Sequence, residues 1–443
     1  MNLRLMKDSG VEWIDEIPAE WKIVPFKTFF DFYKGLPITK ADLTDKGISV
    51  ISYGQIHSKY NTGVHISENL IRYVSDEYLS SFSTSLSRRG DILFADTSED
   101  MEGIGNCVLN DYDNTLFAGY HTIGTRPITN THSRFLAYLF QTDNWRSQLR
   151  IQASGIKVFS VTQRMLKTIS IILPTEEASE HIVDYLDEKC AKIDTIIAKQ
   201  QEVIEKLKEY KLSVITEAVT KGLDPDVPMK DSGIEWIGAI PEHWELHKFC
   251  WDYSAMLGKM LDAKRVTGQN LHPYIKNVDV QWGYINTEDL DQMDFEKDEY
   301  ERYSVKPGDL MICEGGEIGK CAIVPNDFPA DIYYQKALHR VRERSAGDGC
   351  INFLYYLIYC MAKNDCLNTS PEKATIAHLP GDALSQLRIP TPPKHEQKAI
   401  AEHLNMREEK INNAIDEKQR VIHRLIEYKK SLIYEVVTGK REV

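Results

Sequence analysis

The sequence predicts an α+β protein made of two tandem globular α/β domains. Two long helices separate them and pair as an antiparallel coiled coil about a pseudo-two-fold axis. Three observations carry this expectation. The chain has 443 residues, too many for one ordinary core. One segment order occurs twice along it, and each copy ends in a heptad-patterned run.

The repeat is plainest at its start. Residues 6–14 read MKDSGVEWI and residues 229–237 read MKDSGIEWI, followed by Ile17, Pro18 and Trp21 against Ile240, Pro241 and Trp244. Gly90-Asp91-Ile92-Leu93 answers Gly308-Asp309-Leu310-Met311, and Ile104-Gly105-Asn106-Cys107 answers Ile318-Gly319-Lys320-Cys321. Phe135, Leu136, Tyr138 and Leu139 match Phe353, Leu354, Tyr356 and Leu357. Near each copy's end, Leu207-x-Glu209-Tyr210-Lys211 matches Leu425-x-Glu427-Tyr428-Lys429. The spacing between partners drifts along the chain, as it does when a shared scaffold carries diverged loops.

Each copy divides in two. The first part, roughly 15–175 and 238–393, mixes β-rich runs such as Ile92-Leu93-Phe94 and Ile169 to Leu173 with Gly, Asp, Asn and Ser turns. A single helix is expected near Ser133 to Leu149, and another near Ile351 to Met361. The second part is a long helix. Pro174 and Thr175 precede the first one, and Glu176 and Glu177 suit its N-terminal end. Leu186, Ile193, Gln200, Leu207 and Val214 recur every seven residues beside a row of Ile197, Ile204 and Ala218, and Gly222 with Asp224-Pro225 stops the helix.

In the second copy the rows are Leu404, Ile411, Lys418, Leu425 and Leu432, and Ile415, Ile422 and Val436, ending at Gly439. About 45 helical residues span roughly 65 Å. The boundaries are thus 1–175 for the first domain, 176–222 for the first helix, 223–393 for linker and second domain, and 394–443 for the second helix. The two helices either pair with each other or each zips onto another molecule. Gln200 and Lys418 fall in equivalent rows, as a polar register-setting layer or as tolerated polar residues.

Composition limits the function. With 66 acidic and 53 basic residues the net charge is −13, which argues against a protein that simply coats DNA, since such affinity comes from neutralising phosphates. A reader with local basic loops on an acidic scaffold remains compatible. The opening MNLRLMKDSG lacks the apolar core of a signal peptide, and the longest apolar stretch, near Phe353 to Met361, is far short of a bilayer span. A cytoplasmic location is expected. The eight cysteines form no CxxC pair, so reduced and mostly buried thiols are expected, with no metal site.

No catalytic constellation emerges. There is no Asn-Pro-Pro-aromatic or Asp-Pro-Pro-aromatic tetrapeptide and no Gly-rich cofactor loop. The stretch Glu314 to Cys321 lacks a phosphate loop's first glycine and ends in Cys321 instead of Ser or Thr. Asp187-Glu188-Lys189 and Asp416-Glu417-Lys418 lie inside the heptad helices, where charge runs are solvated faces. The histidines make no HExxH.

The order of domain, long helix, domain, long helix resembles the specificity subunit of a type I restriction-modification system. The likeness rests on MKDSG-EWI with IP-W opening each half, the Gly-Asp-hydrophobic turns at Gly90 and Gly308, and Leu-x-Glu-Tyr-Lys near each helix end. Pro174 and Pro390-Thr391-Pro392-Pro393 before the helices fit too. It covers essentially the whole chain. The resemblance implies a non-catalytic subunit whose two target-recognition domains each read half of a split double-stranded DNA sequence. It also implies that the helices act as a ruler for the unread spacer. The implied partners are two modification subunits, which bind S-adenosylmethionine, and restriction motor-nuclease subunits; no cofactor is expected on this chain. It has no basic recognition helix, so reading residues are not carried over by motif.

Base readout needs Arg, Lys, Asn, Gln and aromatic side chains on loops. In the first copy the candidates are Lys34, Lys40, Gln55, His57, Lys59, Tyr60, Arg150, Gln152, Ser154 and Lys157. In the second they are Lys259, Lys264, Arg265, Gln269, Lys276, Asn277, Gln281, Trp282 and Lys373. Arg88 and Arg89, before the shared Gly-Asp turn, suit a phosphate contact or a solvated turn. A protein-protein adaptor that binds two copies of an enzyme through its repeated domains is the competing function. Basic patches on the repeated loops would favour DNA.

Overall fold

The computed structural model describes residues 4–153, 155, 158–260, 268–367 and 378–443. They form two compact units. One holds residues 1–200 with 420–443, and the other holds 201–419.

In the first unit a four-stranded antiparallel sheet has the order Cys107–Leu109, Ile92–Ala95, Thr122–Pro127, Phe30–Lys34. All four residues of Ile92–Ala95 are buried, as expected for a central strand covered on both faces. A second sheet has the order Arg72–Val74, Ile48–Ile51, Leu116–Ala118, Leu86–Ser87, with Leu116–Ala118 parallel to Ile48–Ile51. The helical segment expected as one piece is two helices, Ser133–Leu139 and Asp143–Arg150. Thr142 explains the break: its side chain accepts from the backbone N–H of Trp145 and starts a new helix. In the second unit the corresponding helix, Ile351–Lys363, is continuous.

The second unit repeats the first sheet as Tyr253–Leu257, Leu338–Glu343, Leu310–Cys313, Cys321–Ile323. Register is kept, since Thr125 faces Ile92 in one copy and Val341 faces Leu310 in the other. The opening motif is a turn device in both. Asp8 Oδ1 accepts from Gly10 N at 2.8 Å and Asp231 Oδ1 from Gly233 N at 2.9 Å, with both glycines at positive φ.

The long helices are Glu176–Lys221 (46 residues) and Lys394–Val437 (44 residues). They pair with each other and run antiparallel. In the first unit Ile182, Leu186, Cys190 and Ile193 share a core with Leu432, Ile433, Val436 and Val437, and Lys429 meets Asp194 at 2.7 Å. In the second unit Ile215, Ala218 and Val219 share a core with Ile400 and Leu404, and Lys211 reaches Glu408. The repeated Leu-x-Glu-Tyr-Lys therefore supplies one helix-to-helix ion pair per unit. The glycine after each helix packs within the unit that holds it: a Cβ on Gly222 would lie 3.1 Å from the Trp244 ring, and one on Gly439 would lie 2.3 Å from Pro18. All eight cysteines are free, and burial pushes the Cys107 thiol up to about 12.

Candidate nucleic-acid interface

The Gly-Asp turn shared by the two domains is anchored by a buried charge pair. The Asp91 side chain is 2% exposed and accepts four hydrogen bonds. They come from Arg88 N (2.9 Å), Tyr33 OH (2.8 Å), Arg126 Nη2 (2.8 Å) and Arg126 Nε (3.1 Å). Asp309 repeats the pattern with Lys306 N at 2.8 Å and both the Nε and Nη2 of Arg342. Burial, reinforced by the charge of Asp91, drives the Tyr33 phenol well above its ordinary range. The Asp91 carboxylate in turn holds the Arg126 guanidinium above its own. The backbone of Arg88 is thereby pinned while its side chain stays exposed.

Beside this anchor a cleft of about 1110 Å³ opens on the first unit. Three cations, Lys34, Arg88 and Arg126, line it with the hydroxyls of Ser83, Thr84, Ser85, Ser87 and Thr115, the amide of Gln163, and Phe32, Tyr33 and Leu86. No carboxylate is among its lining residues, and Arg126 reaches it already paired with Asp91, so Lys34 and Arg88 carry its uncompensated charge. Lys34 and Arg88 make no ion pair among the described residues. The contrast lies in the same unit: a cleft of about 1040 Å³ around His57 is lined by five carboxylates, Glu99, Asp100, Glu102, Asp143 and Glu427, beside the cations Arg146, Arg150 and Lys430. In a chain carrying 13 more acidic than basic residues, a cation-and-hydroxyl cleft suits phosphate oxygens better than one whose carboxylates outnumber its cations.

The residues singled out in the sequence scatter around this geometry. Lys34 lies in the cleft. Lys40 is exposed on the short turn Lys40–Asp42. The Gln55 side chain accepts from Ser52 N at 3.1 Å and closes a capping box. His57 is tied twice. A carbonyl only accepts, so Nε2 donates to Thr97 O (2.8 Å), and Nδ1 accepts from Asn106 Nδ2 (3.0 Å). Behind it the buried Arg146 donates to Asn106 Oδ1, Phe140 O and Gln141 Oε1. Lys59 covers the exposed Tyr60 ring at 5.1 Å. Arg150 donates to Glu102 O and Asp143, while Gln152 donates to Gln148 O and accepts from Thr168.

In the second unit Lys259 is held by Asp294 O and the Glu299 carboxylate, and Lys276 by Asp291 at 2.7 Å. Gln281 donates to Val278 O, Trp282 Nε1 donates to Glu317, and the Asn277 carbonyl accepts from Cys313. Gln269 is exposed. Ser154, Lys157, Lys264, Arg265 and Lys373 lie outside the described residues.

Sequence reading did not single out Arg126, Gln163 or the hydroxyls of Ser83 to Ser87. One signal was available: the run from Ser80 to Arg89 is rich in hydroxyls, ends in two arginines and has no carboxylate. The Ser52-x-x-Gln55 spacing likewise marks Gln55 as a cap. Among the described residues no group of three or more His, Cys, Asp or Glu side chains could hold a metal ion. Nor is any helix among them long and apolar enough to cross a membrane.

Comparison with known proteins agrees with the duplicated architecture. The family model of the type I restriction modification DNA specificity domain matches residues 18–206 and again 258–420. The type I restriction enzyme MjaVIII specificity subunit of Methanocaldococcus jannaschii is 26% identical, over 69% of this chain and 70% of its own length. The EcoKI specificity subunit of Escherichia coli is 20% identical, over 90% and 86%. In fold, the chain is similar to one from a type I R-M system solved for its complex assembly and conformational transition. That match has a TM-score of 0.71 at 15% identity, over 96% of this chain and 99% of that one. The HsdS subunit from Thermoanaerobacter tengcongensis matches with a TM-score of 0.50 at 15% identity, over 96% and 98%.

Proposed function

The chain belongs to the type I restriction modification DNA specificity family, and from that premise we propose how its parts divide the work. It is the DNA-recognition subunit of a restriction-modification complex, and each domain reads one half of a bipartite double-stranded target. The carboxylate-free cleft at Lys34, Arg88 and Arg126 holds the phosphate backbone of one half-site and sets the register of nearby base-reading loops. The paired helices fix the unread spacer and dock two modification subunits, which carry S-adenosylmethionine; restriction motor-nuclease subunits complete the assembly in the cytoplasm. This chain itself binds no cofactor and performs no chemistry.

The observation that carries the DNA reading is the exclusion of carboxylates from that cleft in so acidic a chain. It is tested by Lys34→Ala and Arg88→Ala in the assembled complex. Each removed phosphate contact lowers the slope of log K against log salt by about 0.9 and weakens cognate and non-cognate DNA alike. Unchanged slopes in both variants would remove the cleft from the interface.

A further inference from the structure

We propose that a groove on the second unit is the docking site for a cationic side chain, lysine or arginine, of a partner subunit. The inference rests on the reading that this chain assembles with modification subunits, and it names a place and a chemistry for that contact. The groove holds about 470 Å³ between the domain and the second long helix. Trp282, Tyr284 and Tyr355 form its aromatic wall, and Glu408, Glu409 and Asn413 form its helix side.

The charges on the helix side are unequal. Glu408 is satisfied, since it accepts from Tyr356 OH at 2.9 Å and pairs with the largely buried Lys211. Glu409 is exposed and has no partner among the described residues. Lining the same groove, Tyr284 is 61% exposed on a short hairpin strand, Tyr284–Ile285. A carboxylate and aromatic rings lining one groove attract an ammonium or guanidinium through both the charge and the ring quadrupole. The wall already does this internally: Lys363 Nζ sits 4.6 Å from the Trp282 ring centroid, and both Lys363 and Trp282 Nε1 bond to Glu317. The free negative charge repels DNA, so a basic protein segment is the occupant that fits.

Among the described residues, the unpaired carboxylate of this groove has no counterpart at the equivalent positions of the first half, where Asp187 pairs with Arg134. By the repeat that aligns Tyr138 with Tyr356 and Lys429 with Lys211, the positions of Glu408 and Glu409 carry Cys190 and Ala191 in the first half. Asp194, the counterpart of Asn412, is already engaged by Lys429.

The test uses the full chain and the purified modification subunit of the same system. Glu409→Lys and Tyr284→Ala, both surface changes that leave the melting temperature in place, weaken the binary complex by about tenfold or more. A photo-reactive benzoylphenylalanine in place of Tyr284 cross-links to a segment of the modification subunit that carries lysine or arginine. Reversing that residue's charge in the partner restores binding to Glu409→Lys. Unchanged affinity in both variants, or cross-links to DNA or to a second copy of this chain, would overturn the inference. If the unaltered chain fails to bind the modification subunit, the assembly reading itself falls, and this inference with it.

Discussion

Replacing Asp91 by Asn probes the device that positions the cleft. The substitution keeps the side chain's shape but removes its charge and turns one acceptor oxygen into a donating amide. Asp91 receives four hydrogen bonds, two of them from Arg126. In the variant at least one of those donors meets another donor, and a guanidinium is left without its counter-charge. Breaking a buried ion pair from one side costs about 3–5 kcal/mol. Arg126 is 28% exposed and keeps some hydration, which reduces the cost to about 2–3 kcal/mol. For a body of this size the loss corresponds to a fall in melting temperature of about 5–10 °C. Thermal unfolding followed by circular dichroism measures it.

The repeat supplies an internal control. Asp309→Asn removes the equivalent carboxylate, 3% exposed and bonded to Arg342, and lowers stability by a similar amount. A double variant, Asp91→Asn with Arg126→Met, recovers part of the loss because no uncompensated charge remains. A shift below about 1 °C for both aspartates, or a double variant worse than the two single ones added together, would refute the anchoring role.

Two further outcomes follow from burial. His339 is fully buried, its Nε2 donates to Leu379 O at 2.8 Å, and burial lowers its pKa from the usual 6.5. The unfolded chain therefore takes up a proton that the folded one resists, so this contribution is complete above pH 6.5 and is lost as pH falls below it. His339→Gln, which still donates to Leu379 but does not titrate, flattens the acid side of the stability profile; an unaltered profile would refute this. Gln200 buries its side-chain oxygen without a partner among the described residues, in a row otherwise apolar in the first helix. Gln200→Leu raises stability by about 1–2 kcal/mol in denaturant titration, and a loss would show that the amide is needed.

The duplicated domains, the two heptad helices and their glycine stops were all legible in the sequence, because each is a short-range pattern. The Asp-Ser-Gly turns and the seven-residue rows express bonds and faces formed within a few residues of each other. Even the expected single helix near Ser133 to Leu149 failed for a local reason, the cap at Thr142. The partner of Asp91 is another matter. Arg126 lies 35 positions away and reaches it only because the strands at Ile92 and Thr125 pair in that register. His57 and Gln55 looked like free polar loop residues, yet they close bonds to Thr97, Asn106 and Ser52. Composition marks which residues can carry charge or hydrogen bonds. Which of them remain unsatisfied, and so open to a ligand, is decided only when the long-range packing has claimed the rest.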